Sequence, residues 1–230
     1  MKSRIRATLM ASTALLFTGC LVGPQAQYTE SPMTFFVTSV GLGKGADLGG
    51  LKGADEHCTM LAQNVGVYGR IWRAYLSTTA AGGKQPIHAR ERIGVGPWHN
   101  QKGVLIARDL TELHTSPNLS KETALTEKGD MVAGMGDKPN RHDVLTGSAP
   151  DGRTVWGRDE MTCGDWTKSG DGTAMVGHID RQGVPVTDTS TSWNSAHPSR
   201  GCSQENLRAS GGDGLIYCFA ENVQYRVRRY

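Results

Sequence analysis

Five cysteines in a chain that opens with an export signal constrain the fold more than any other feature. Lys2, Arg4 and Arg6 precede an uncharged apolar stretch from Ala7 to Phe17, the layout of a secretory leader with a basic start and a short hydrophobic region. That stretch is too short to span a bilayer. Cys20 closes the leader, and Cys58, Cys163, Cys202 and Cys218 lie beyond it, in a compartment where thiols oxidise. An even number there reads as two disulfides, with three pairings open from sequence alone. A metal site is the rival use of these cysteines, but there is no Cys-x-x-Cys pair and no close Cys/His spacing.

The leader ends on Phe17-Thr18-Gly19-Cys20, which resembles the lipobox of bacterial lipoproteins, although Leu is usual where Phe17 stands. The resemblance implies a signal peptide over residues 1–19 and a lipidated Cys20 as the new N-terminus, holding the protein to a membrane of the bacterial cell envelope. Leu21 is not the Asp that typically retains such proteins in the inner membrane of enteric bacteria, so the outer membrane is the expected location. The 25 Lys and Arg against 22 Asp and Glu suggest a basic protein, but three of those bases are in the leader. The exported part is balanced and gives no reason to expect a nucleic-acid partner. Its one basic cluster is the tail over 226–230, with Arg226, Arg228 and Arg229.

Residues 20–32, rich in Gln, Pro, Ser and Thr, read as a flexible tether, and 33–225 as one domain. Thr34 to Thr38 is β-branched and aromatic, as in a strand. Over Ala54 to Val65 the apolar positions Ala54, Cys58, Leu61, Ala62 and Val65 recur at helical spacing, with Asp55 and Glu56 in the first turn. Ile71 to Thr78 alternates as a half-buried strand does. A loop-rich middle over 80–153 holds a short helix at Ala89 to Ile93 and a strand at Gly103 to Ala107. Further strands are expected at Met161 to Thr167, near Met175 to Ile179, and at Gly214 to Ala220.

A helix cysteine near the start, a strand cysteine near the end, and an inner pair bracketing a polar segment with tryptophans resemble the C-type lectin-like domains. Gly53-Ala54-Asp55 before Cys58, then Gly69 and Arg73-Ala74-Tyr75-Leu76-Ser77, are similar to the endostatin-like branch, found at the C-terminus of collagens XV and XVIII. Gly147-Ser148, Pro150-Asp151-Gly152-Arg153, Cys163 with Trp166, and Ile216 to Cys218 before Glu221-Asn222 follow in the same order. The resemblance implies an α+β fold: a twisted antiparallel sheet with flanking helices, long loops, and disulfides joining Cys58 to Cys218 and Cys163 to Cys202.

Calcium-dependent lectins of that kind use a Glu-Pro-Asn or Gln-Pro-Asp triplet and a Trp-Asn-Asp triplet. Here Trp193-Asn194-Ser195 lacks the last carboxylate and Ala149-Pro150-Asp151 lacks the first ligand, so calcium is reduced to what Asp165, Asp171, Asp180 and Asp188 could supply. The zinc of endostatin-like domains is associated with N-terminal histidines, which are missing before Phe35. His57, His88, His99, His114, His142, His178 and His197 are scattered and read as surface or locally hydrogen-bonded groups, so neither a metal nor another cofactor is expected from spacing. No Gly-x-Ser-x-Gly elbow or activated cysteine points to an enzyme. The ligand face implied by the resemblance is Trp166, Asp171, Trp193, Asn194, His197 and Arg200, in or beside the Cys163 to Cys202 loop. Aromatic faces and hydrogen-bonding side chains there suit glycans or matrix-like polymers. An envelope-anchored recognition or adhesion module is the leading expectation. A structural lipoprotein binding another envelope protein is the alternative, and an envelope hydrolase the third.

Overall fold

The computed structural model describes residues 31–80, 85–156, 160–183 and 189–221. Cys20, expected to be lipidated, nearly all of the expected tether over 20–32, Asp188 and residues 226–230 lie outside them. The longest strand, β8 (Gly212–Glu221), alternates Leu215, Tyr217 and Phe219 with Ile216, Cys218 and Ala220. All six are buried, so this strand carries a core on each face. β1 (Phe35–Val37) runs antiparallel to it with Phe36 opposite Cys218, and β2 (Ile71–Ala74) antiparallel with Ala74 opposite Cys218. β5 (Asp143–Leu145) is parallel to β8, then β6 (Met175–His178) and the two-residue β7 (His197–Pro198) follow antiparallel. The sheet order is β1-β8-β5-β6-β7, with β2 also on β8. The sheet is therefore mixed, and the expected all-antiparallel pairing is corrected at the β5–β8 contact.

On one face packs α1 (Gly50–Asn64), through Ala54, Cys58, Leu61 and Ala62. It begins four residues earlier than the apolar periodicity suggests, because Gly49 and Gly50 take positive φ of 72° and 70° and turn the chain into the helix. Asp55 is therefore an interior residue, free to reach sideways. Its carboxylate accepts from the Ala74 amide at 2.8 Å and from Arg92 at 2.8 and 2.9 Å, joining α1 to β2 and to α2 (Ala89–Arg92). The other face is aromatic: Phe35, Tyr75, Trp98, Trp193, Tyr217 and Phe219 form one buried cluster. The hairpin of β3 (Trp98–His99) and β4 (Leu105–Ala107) and the helix α3 (Leu110–Thr115) cover it.

Two disulfides close the domain. Cys58–Cys218 ties α1 to β8 across 160 residues, and Cys163–Cys202 closes a loop of 39. In the chain-entropy account such closures contribute up to about 5 and about 4 kcal/mol. The strand expected over Met161 to Thr167 is instead a left-handed turn, α4 (Cys163–Trp166), with φ between 50° and 67° at all four residues. L-residues resist that conformation. It is held by the Cys163 disulfide, by Trp166 Nε1 donating to the Ser77 carbonyl at 2.8 Å, and by Asp165 accepting from the Thr79 amide and hydroxyl. After Cys202, α5 (Gln204–Ser210) leads into β8. Among the described residues no helix is long and apolar enough to cross a membrane.

Candidate metal centre

The register of the sheet collects the chemistry. Asp143 lies directly opposite His178 in the β5–β6 pair, so both side chains leave the same face. Val176, two residues before His178 and therefore on that face as well, pairs with His197 of β7. His142 stands just outside β5, where strand alternation no longer binds it, and the register of β5 on β8 shifts at the next step. Gly177 permits the arrangement, since a Cβ there would lie 1.8 Å from the Trp193 carbonyl oxygen.

Around Asp143 Oδ1 stand three imidazole Nε2 atoms: His142 at 3.2 Å, His178 at 3.3 Å and His197 at 3.6 Å. Asp143, His142 and His178 are buried, and the ligand atoms of these three lie within 4.8 Å of one another. Neither oxygen of Asp143 has a hydrogen-bond partner, nor has His178 Nε2. The far side of each ring explains why. His142 Nδ1 faces Asp180 Oδ1 at 3.1 Å, His178 Nδ1 the Ser190 carbonyl at 2.8 Å, and His197 Nδ1 the Pro198 carbonyl at 3.0 Å. Each of those oxygens only accepts, so each Nδ1 carries a proton and each ring presents its Nε2 to the carboxylate. Three Nε2 atoms and a buried carboxylate at these distances are compatible only when a cation, a proton or a metal ion, is shared between them.

Electrostatics agree on the charge of the carboxylates. Burial opposes ionisation of Asp143, but contacts with His178 and His197 outweigh it and hold its pKa below the usual carboxylate value. The same contact with Asp143 raises His197, against burial. Asp180 is likewise opposed by burial, yet His142 and the Met135 and Gln182 amides bring it down to about 2. An ionised Asp180 fixes the His142 ring as an outer-shell carboxylate does in a metal site.

The distances also suit an ion. With metal–ligand bonds of about 2.0–2.1 Å, the edges of a tetrahedron are about 3.3 Å. Neutral N–H···O bonds cluster near 2.9 Å. The three Oδ1 to Nε2 separations resemble tetrahedral edges more than hydrogen bonds. The His142 and His178 rings stack at 4.1 Å with only 10° between their planes. For both rings to hold one ion, one of them would have to tilt out of that stack.

The three histidines form part of the wall of a cleft of about 680 Å³. Much of the rest is apolar, including Met135, Ala149, Pro150, Met175 and Ala196, and no Lys, Arg, Asp or Glu is among its described lining residues.

Of the ligand face expected from sequence, only His197 belongs to this cleft. Trp166 is fully buried against the inner disulfide turn, and Trp193 is buried against Tyr75 and Tyr217, at ring distances of 4.8 and 5.3 Å. Asn194 is turned inwards, donating to Tyr75 Oη and to the Ala149 and Pro150 carbonyls. All three pack inwards, and Trp193 and Asn194 also border a smaller pocket of about 210 Å³ beside Pro150 and His114. Asp171 and Arg200 are exposed but do not line the cleft. Asp165 and Asp180, two of the oxygens weighed for calcium, are engaged by Thr79 and by His142. The histidines that read as scattered in sequence include the three that converge on Asp143. The adjacent His142-Asp143 pair was the only local signal, and spacing could not join it to His178 or His197.

The chain matches no protein-family model and no curated protein sequence.

Proposed function

We propose that this is an exported, Cys20-anchored lectin-like domain that binds one divalent transition metal, zinc for preference, at the base of its cleft, and recognises its ligand through that ion. The supporting observation is the buried, unpartnered Asp143 carboxylate faced by three imidazole Nε2 atoms. A buried charge of that kind is paired or coordinates a metal. Three nitrogens that stand 3.2, 3.3 and 3.6 Å from one carboxylate oxygen suit zinc, which takes such ligands without a preference of its own for geometry. Calorimetric titration of the full chain with zinc, and metal analysis after dialysis, test it. One equivalent is expected in the wild type and none in Asp143→Ala or His178→Ala. A wild type that takes up no zinc, cobalt, nickel or copper sinks the reading.

Glycan recognition is the second reading, and one observation favours it. Trp156 is 73% exposed and follows Val155, a residue of the cleft lining, so an aromatic ring is available for sugar stacking beside the site. A glycan array run with and without chelator separates the two. Binding that survives the chelator supports a sugar surface independent of the ion, and binding lost with it places recognition at the metal.

A further inference from the structure

The candidate ligands are not held alike. His142 and His178 are buried, with Nδ1 anchored to Asp180 and to the Ser190 carbonyl, and His178 lies in β6 while His142 directly precedes β5, both strands inside the sheet. His197 differs in each respect. Its side chain is 38% exposed, it lies on the two-residue edge strand β7, and its Nδ1 faces the carbonyl of its own neighbour Pro198. Its contact with Asp143, at 3.6 Å, is the longest of the three. From these contrasts, and resting on the metal reading above, we infer that His197 is a displaceable ligand, and that the cleft takes up a carboxylate with an apolar body whose oxygen replaces His197 Nε2 on the ion.

The charge balance selects the head group. A divalent ion with one carboxylate and three neutral imidazoles keeps one net positive charge over its direct ligands, offset at one remove by Asp180 behind the His142 ring. Exchanging the neutral His197 for an anionic oxygen cancels that charge, which a neutral donor does not. In the exchange one metal–nitrogen bond breaks and one metal–oxygen bond forms, with no proton or electron transferred. No Lys or Arg is among the described lining residues, so of the groups described the ion is the counter-charge for the anion. The apolar lining, with Met135, Ala149, Pro150, Met175 and Ala196, then receives the body of the ligand.

The probe is 4-phenylbutyrate, compared with its neutral amide, on the full chain loaded with cobalt, whose visible absorption reports coordination. The acid is expected to change the spectrum saturably and the amide to leave it unaltered. His197→Ala is expected to keep its cobalt and to bind the acid at least about tenfold more tightly, because no protein ligand must first leave. Equal response to acid and amide, no response to either, or unchanged affinity in His197→Ala overturns the exchange while leaving the metal site standing. Loss of all cobalt from His197→Ala makes His197 an obligatory ligand and also overturns it. A wild type that never binds cobalt removes both readings.

Discussion

A carboxylate buried beside three imidazoles is costly unless a cation is shared between them, and contacts with His178 and His197 hold the Asp143 pKa below the usual carboxylate value. Asp143→Asn removes the charge and keeps the shape. Melting temperatures are expected to be equal to or above wild type in chelator and below it in zinc, where only the wild type gains from the ion. A variant that melts lower in both conditions contradicts that assignment. One shell out, Asp180→Asn should weaken zinc binding about 10–100-fold by releasing the His142 ring, without abolishing it; competition against a chromogenic chelator measures this. At this scale the sequence is least informative. Trp193 and Asn194 have side chains that suit sugar binding, yet both serve the interior, where Trp193 packs on Tyr75 and Tyr217 and Asn194 latches the 149–150 backbone. Residue type states what a side chain can do; burial decides whether it meets a ligand.

Elements are joined here by polar clamps set between apolar layers. Asp55 of α1 binds the Ala74 amide of β2 and Arg92 of α2, and the Asp55 and Arg92 side chains are only 15% and 11% exposed. Asp55→Ala leaves a buried guanidinium without its anion, so a loss of about 3–5 kcal/mol in denaturant unfolding is expected. A second clamp runs through α3. His114 Nδ1 donates to the Leu110 carbonyl, Tyr75 Oη donates to Nε2, and Asn194 donates to Tyr75 Oη, which is a complete chain only when His114 is neutral. Burial lowers the His114 pKa below 6.5. The unfolded chain therefore binds this proton first, and stability present above about pH 6.5 falls as pH drops towards the folded value, by at most about 1.4 kcal/mol per unit. The difference in stability between wild type and His114→Gln should shrink over that range; a constant difference from pH 7.5 to 5 refutes it. Periodicity located α1 and β2, each of which buries one face, while β1 and β8 were legible as apolar, aromatic-rich runs. It missed β5, whose three residues are too few to show a period, and it misread α4, where a disulfide and Asp165 impose a left-handed turn on a strand-like sequence.

For the whole molecule, the order of the cysteines carried more information than any local pattern, since both disulfides are the expected ones and each joins elements far apart in sequence. The candidate centre was illegible for the complementary reason. Its residues become neighbours only through the β5–β6–β7 register, which the spacing of His142, His178 and His197 does not encode. The two bridges bear differently on that centre. His178, Ser190 and His197 all lie between Cys163 and Cys202, whereas Cys58–Cys218 joins α1 to β8 away from the ligands. A site formed from segments that must be ordered on binding loses affinity by that ordering cost, and a short covalent loop has already met part of it. Replacing Cys163 and Cys202 by Ala should therefore lower stability by up to about 4 kcal/mol and also weaken zinc binding by the folded protein. Replacing Cys58 and Cys218 should cost more stability, up to about 5 kcal/mol, yet leave the zinc affinity of the folded fraction near wild type. Zinc titrations of both double variants well below their melting temperatures make the comparison, and equal loss of affinity in the two would show that the inner bridge has no special hold on the centre.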